Sequence, residues 1–189
     1  RSLGNLYLRA GDHKKATEFV TDDFSNVKLL LSQGKNDEAK AILDSYQGKK
    51  DDNYYLLMAE YYYNIKNTQE CFKTIDEFAK LSPKHPLIFQ MRALCCEIEG
   101  NEARAKYNWG WYNLIKGQQD VALSEFLNSN DIEKSVDTLE QIIKIYDSQR
   151  DYTTAAEFVA QLVELEPKNT LALKRLGEFY QSVGDFDRA

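Results

Sequence analysis

Apolar residues recur along this chain at helical spacing. Ala156, Val159, Ala160 and Val163 fall at i, i+3, i+4 and i+7, the stripe that one buried face of an α-helix needs. Tyr and Phe keep similar spacings, and other strand builders are few. The stretches "NYYLLMAEYYY" and "EARAKYNWGWYNLIKG" both read as helices. The first packs five tyrosines into eleven residues, more than one buried stripe can take, so some should be exposed.

Small and polar residues punctuate these helices. Gly11-Asp12 and Gly184-Asp185 each end one helix and cap the next. Gly tolerates the left-handed conformation, and the Asp carboxylate accepts from orphan N–H groups. Pro83 and Pro167 cannot continue a helix interior and so close a unit. A small residue stands near the start of each second helix, at Ala16, Ala39, Cys71, Ala105, Ala122, Ala155 and Ala189. The intervals are 23, 32, 34, 17, 33 and 34, so four of the six lie near one helix–turn–helix period. Gly4 and Gly177 read as close-crossing points between helices, with Ala155 and its equivalents on the facing side. Tyr7, Tyr62, Tyr146 and Tyr180 read as fillers of the wedge between helices.

Three segments carry a family resemblance. "NTLALKRLGEFYQSVGDFDRA" has Leu173, Leu176, Gly177, Tyr180, Gly184, Asp185, Phe186 and Ala189 in register. "LEQIIKIYDSQRDYTTAAEFVAQLVELEP" supplies Tyr146, Ala155, Leu162 and Pro167, and "AEYYYNIKNTQECFKTIDEFAKLSP" supplies Ala59, Tyr62, Cys71, Phe78 and Pro83. Over most of its length the chain resembles the tetratricopeptide repeat (TPR) family. The resemblance implies an all-α fold, an α-solenoid of antiparallel helix pairs wound into a right-handed superhelix. The approximate units are 1–22, 23–52, 53–85, 86–117, an irregular 118–134, 135–168 and a truncated 169–189. The chain opens inside a first helix and stops just inside a second, without the polar capping helices that end natural solenoids. The expectation is a piece of a longer protein.

The interval of 17 is half a period, so the repeat phase slips around residues 101–134. The helix "EARAKYNWGWYNLIKG" serves twice, as a second helix read from Gly100 and as a first helix read back from Gly117, with Gly110 as its close-packing glycine. Two readings stay open: a degenerate repeat with a short helix at 118–129, or a break that re-aims the groove. The interval of 23 requires two helices of about nine residues between Gly11 and Gly34.

Charge narrows the partners. The net charge is −6 and the pI about 5.1, which speaks against a nucleic-acid backbone binder. The signature and the acidity also set the chain apart from the RNA-reading pentatricopeptide relatives. No stretch approaches the roughly 18 apolar residues of a membrane span. The three cysteines, Cys71, Cys95 and Cys96, form no disulfide framework. They tilt the expected compartment towards the cytoplasm, with the periplasm as the alternative.

Catalytic and metal chemistry is not expected. His13 and His85 are the only two histidines, and both read as exposed surface residues without nucleophile or carboxylate partners. No phosphate-loop, dinucleotide, zinc-protease or nucleophile-elbow motif occurs. The cysteines read as buried small hydrophobes rather than zinc ligands. Hence no enzyme activity, no cofactor and no metal are expected.

The resemblance implies partner binding on the face lined by first helices. By repeat position that face takes Leu56, Glu60, Tyr63 and Asn64, then Gln90, Leu94 and Glu97, then Arg104, Tyr107, Asn108 and Trp111, and finally Glu140, Lys144, Lys174 and Glu178. Tyr62 reads as core and Tyr63 as groove; Trp109 reads as core, and Trp111 fits core and groove alike. Some family members clamp a terminal carboxylate with Lys and Asn. Arg1 and Asn5 match the first such pair, but later helices do not complete the set. The expected function is a scaffold that binds a protein or peptide. The alternatives are a self-associating structural solenoid, which would make homodimers, and a regulatory arm of a larger enzyme or signalling protein.

Overall fold

The computed structural model describes residues 23–184. Expectations on Arg1, Gly4, Asn5, Tyr7, Gly11, Asp12, His13, Ala16, Asp185, Phe186 and Ala189, and the 1–22 unit, lie outside the described residues. Every regular element among the described residues is an α-helix. In order they are α1 (Asp23–Ser32), α2 (Asn36–Ser45), α3 (Asp52–Asn64), α4 (Thr68–Leu81), α5 (Pro86–Ile98), α6 (Glu102–Ile115), α7 (Gln119–Ile132), α8 (Val136–Gln149), α9 (Tyr152–Leu165) and α10 (Thr170–Ser182). The fold class is an all-α solenoid type, as expected.

The punctuation predicted from sequence has a backbone signature. Gly34, Lys66, Gly100, Gly117, Arg150 and Gly184 all hold positive φ, between 57° and 78°. Their spacings are 32, 34, 17, 33 and 34 residues, and each lies five residues before a small residue of the repeat. The left-handed residue lets the chain reverse while the last carbonyls of the helix stay bonded: Asn67 N donates to Tyr62 O at 2.9 Å and Asp151 N to Tyr146 O at 3.0 Å. The next helix then starts on a polar cap. Asn67, Asn101 and Asp151 accept from the N–H groups of Glu70, Arg104 and Thr154. Ala39, Cys71, Ala105, Ala122 and Ala155 are all buried. A helix joined by so short a turn to a neighbour it packs along must run antiparallel to it.

The chain divides into two compact units, Arg1–Gly100 and Asn101–Ala189. In the first, α1 packs on α2 and α3, and α3 on α4 and α5. One core joins Val27, Leu30 and Leu31 of α1 to Ala39 and Leu43 of α2 and to Tyr54 and Leu57 of α3. Another joins Ala59 of α3 to Cys71, Ile75 and Phe78 of α4 and to Ile88, Met91 and Cys95 of α5. The buried positions of α4 fall at i, i+4 and i+7, which is why this segment must be helical.

In the second unit, α6 and α7 form the most intimate hairpin, and α7–α8, α8–α9 and α9–α10 follow. Its cores are Ala122, Phe126, Ile142 and Ile145, and Leu139, Ile143, Ala155, Ala156, Val159, Leu162, Ala172 and Phe179. Gly110 explains the closeness of α6 and α7: a Cβ there would stand 2.5 Å from the Phe126 ring. The half-period lies at α6, which has a left-handed turn on either side, at Gly100 and Gly117. The helix after it is not shortened to 118–129, because α7 runs 14 residues. The extra length carries Asn130, which is buried.

Candidate functional site

Within the first unit, the predicted residues sit on α3 and α5, which are neighbours. Leu56, Tyr63 and Leu94 are half-buried and lean on the core built around Ala59, Cys71 and Cys95. Tyr62 packs on the same core and meets Tyr61 edge-on at 5.1 Å. Glu60 is half-buried beside Lys28 of α1. Burial pushes its carboxyl above the usual carboxylate range, and the Lys28 ammonium offsets only part of that rise. Asn64 turns the other way: its Nδ2 donates to Leu31 O and Asn36 Oδ1, each at 3.4 Å, tying α3 to the α1–α2 turn. Gln90 is half-buried and Glu97 exposed.

In the second unit, Arg104, Tyr107 and Asn108 come together in one recess of about 360 Å³. Its other walls are Asn101 and Ala103 of the α6 start, Ser129 of α7, and Glu133, Ser135, Asp137 and Thr138 around the α8 start. The floor is polar but buried: Asn108 is 5% exposed, Ser129 2% and Thr138 1%. Ser129 Oγ donates to Ala103 O at 2.8 Å and lies 3.4 Å from Thr138 Oγ1. Ser135 Oγ donates to Thr138 Oγ1 at 2.8 Å and accepts from Thr138 N at 3.2 Å. Asn108 Nδ2 donates to Arg104 O at 2.7 Å. All five buried polar residues of the described chain (Asn108, Ser129, Asn130, Thr138 and Gln141) lie in this unit.

Trp111 lies outside the recess. It packs edge-on against Phe126 at 6.3 Å, next to Tyr107, whose ring is 5.8 Å from the same phenylalanine. Trp109 is half-buried and meets Tyr112 edge-on at 5.5 Å. Lys144 pairs with Glu140 at 3.3 Å, and Lys174 with Glu178 at 3.6 Å. Both are exposed one-turn pairs on single helices, the kind that contributes a few tenths of a kcal/mol, about 0.3–0.5.

Sequence reasoning missed Ser129, Glu133, Ser135, Asp137 and Thr138. The available signal was polarity at helical core positions: Ser129 follows Phe126 by three residues and Thr138 precedes Ile142 by four. His85 is not the exposed residue expected. It is half-buried, caps α5 by accepting from Leu87 N at 3.3 Å, and lies 5.1 Å from the Phe78 ring. Among the described residues no group of three His, Cys, Asp or Glu could hold a metal, and no helix is long and apolar enough to cross a membrane.

No family model matches this sequence. No curated protein matches it either. Among solved structures it is similar to a chain in "Crystal structure of APC/C hetero-tetramer Cut9-Hcn1", at 14% identity and a TM-score of 0.40. The similarity covers 87% of this chain and 37% of that one, so this chain spans little more than a third of that chain's length.

Proposed function

We propose that this chain is a tetratricopeptide-type module that binds an extended segment of a partner protein, with the α6–α8 recess as its principal contact. The recess is the observation that carries the reading. A scaffold core gains nothing from buried hydroxyls and amides that an apolar side chain would not supply more cheaply. Here three of them floor an open, side-chain-lined cavity. The exposed Arg104, Glu133 and Asp137 put both signs of charge on its walls, above a floor whose hydroxyls and amide are hydrogen-bonded to one another and to backbone carbonyls. That set suits peptide backbone and polar side chains better than a small apolar ligand. The half-open Leu56, Tyr63, Gln90 and Leu94 supply a second, more apolar face on the first unit. Lys144, Lys174 and Glu178 are exposed on α8 and α10, with Lys144 paired to Glu140 and Lys174 to Glu178, and would add only surface charge contacts.

The test is selection of peptides from a displayed random library on the whole chain, then titration calorimetry with the enriched sequence. The expected result is binding in the micromolar range, about −8 kcal/mol. Arg104 is exposed, so Arg104→Glu should leave the fold intact and weaken binding at least tenfold. No enrichment, or binding indifferent to Arg104→Glu, would contradict the proposal. A second copy of the chain is the alternative occupant, and light scattering over a tenfold concentration range separates a dimer from a peptide-binding monomer.

A further inference from the structure

Cys71 on α4 and Cys95 on α5 bring their Sγ atoms to 3.0 Å in the core of the first unit. Both residues are fully buried, and both are free thiols. The gap is about 1 Å longer than a disulfide bond. Cys71 occupies the register that Ala39, Ala105, Ala122 and Ala155 fill elsewhere, where only a small side chain is accommodated. Its Sγ also lies 3.4 Å from Ala59 O on α3. The thiol is therefore hemmed in by α3 and directed at α5. Cys96 is the next residue on α5, about 100° further round the helix, and cannot make the same approach.

We propose that Cys71 and Cys95 form an intrachain disulfide joining α4 to α5 when the chain meets a small disulfide oxidant. The Cys95 thiolate attacks one sulfur of the oxidant, forms a mixed disulfide and expels a thiolate. Cys71 gives up its proton and attacks Cys95 Sγ, expelling the second thiolate. One disulfide is consumed, two small thiols are released, and two electrons pass from the pair to the oxidant. Cys95 Sγ donates to Cys71 Sγ, and Cys71 Sγ donates to Ala59 O, so Cys71 is held between α3 and α5 while Cys95 moves with α5 and meets the oxidant first. Full burial makes the exchange wait on transient opening of α5, so it is slow. Once formed, the bridge fixes the helix that carries Gln90 and Leu94.

The experiment treats the whole chain with excess oxidised glutathione, quenches with an alkylating agent, and reads intact mass, tryptic map and thermal midpoint. The expected product has lost two hydrogens and carries one cross-link between peptides 67–73 and 93–104, placed at Cys95 by fragmentation. Its midpoint rises by about 5–10 °C, reversibly with dithiothreitol. Cys96→Ala should behave as wild type, and Cys71→Ala should form no bridge. Should Cys71→Ala fail to fold, the wild-type map alone decides. A link at Cys96, a stable glutathione adduct, intermolecular dimers only, or intact thiols even after incubation at the edge of the thermal transition would each overturn the proposal.

Discussion

At Lys66 and Arg150 the repeat asks a residue with a side chain to hold positive φ, 57° and 61°. The left-handed conformation costs an L-residue about 1–2 kcal/mol. Glycine's greater freedom in the unfolded chain gives back about 0.5–1 kcal/mol of that. Lys66→Gly and Arg150→Gly should therefore each stabilise by about 1 kcal/mol, seen as a midpoint about 2–4 °C higher in thermal melts. Unchanged or lower midpoints would contradict the role given to these turns. These two positions were legible only through the period, because residue type points elsewhere; at Gly34, Gly100, Gly117 and Gly184 residue type and period agree. Gly110 makes the opposite case. In an isolated helix Gly→Ala gains up to about 1 kcal/mol. Here the new Cβ meets the Phe126 ring, and overpacking of about 1–3 kcal/mol should win. Denaturant titration should show Gly110→Ala destabilised in the wild-type background, with at least half of the loss removed in Phe126→Leu. An equal loss in both backgrounds would mean that the ring is not the obstacle.

At the scale of elements, α3 shows a helix whose two faces answer to different demands. Its core face was readable from apolar spacing, but the five tyrosines obscured which residues stay open. Tyr54 is buried, whereas Tyr55, Tyr61, Tyr62 and Tyr63 are half-buried. Glu60 on this helix is the carboxylate to probe. Its folded-state pKa is raised, so the native state holds the proton more tightly than the unfolded chain. Stability from this group is present below the ordinary carboxylate value and falls as pH rises through the raised one. Glu60→Gln should raise the thermal midpoint at neutral pH and leave it unchanged below about pH 4. A gain of equal size at both pH values would assign the effect to something other than burial of the charge. The α6–α8 recess was only half legible for a physical reason. Arg104, Tyr107 and Asn108 share one helix face and a repeat register, so position alone picks them out. Ser129 and Thr138 reach the same cavity from α7 and α8, and only the packing of α6 on α7 and α7 on α8 brings them there.

At the scale of the molecule, one supersecondary unit recurs, and among the described residues the repeat phase is reset at α6 alone. The fold follows from local rules that recur: left-handed turn, polar cap, small residue, apolar stripe. Function does not follow from those rules, because they say where helices pack and not what a partner touches. The partner-binding account therefore rests on the recess, where the chain departs from an apolar core. The most direct test is hydrogen–deuterium exchange of the whole chain with and without a library-selected peptide. The account predicts slowed exchange at the start of α6, around residues 101–108, and at the start of α8, around residues 133–138. Slowed exchange confined to α7 or α9, or to segments that also become protected on raising the protein concentration alone, would contradict it.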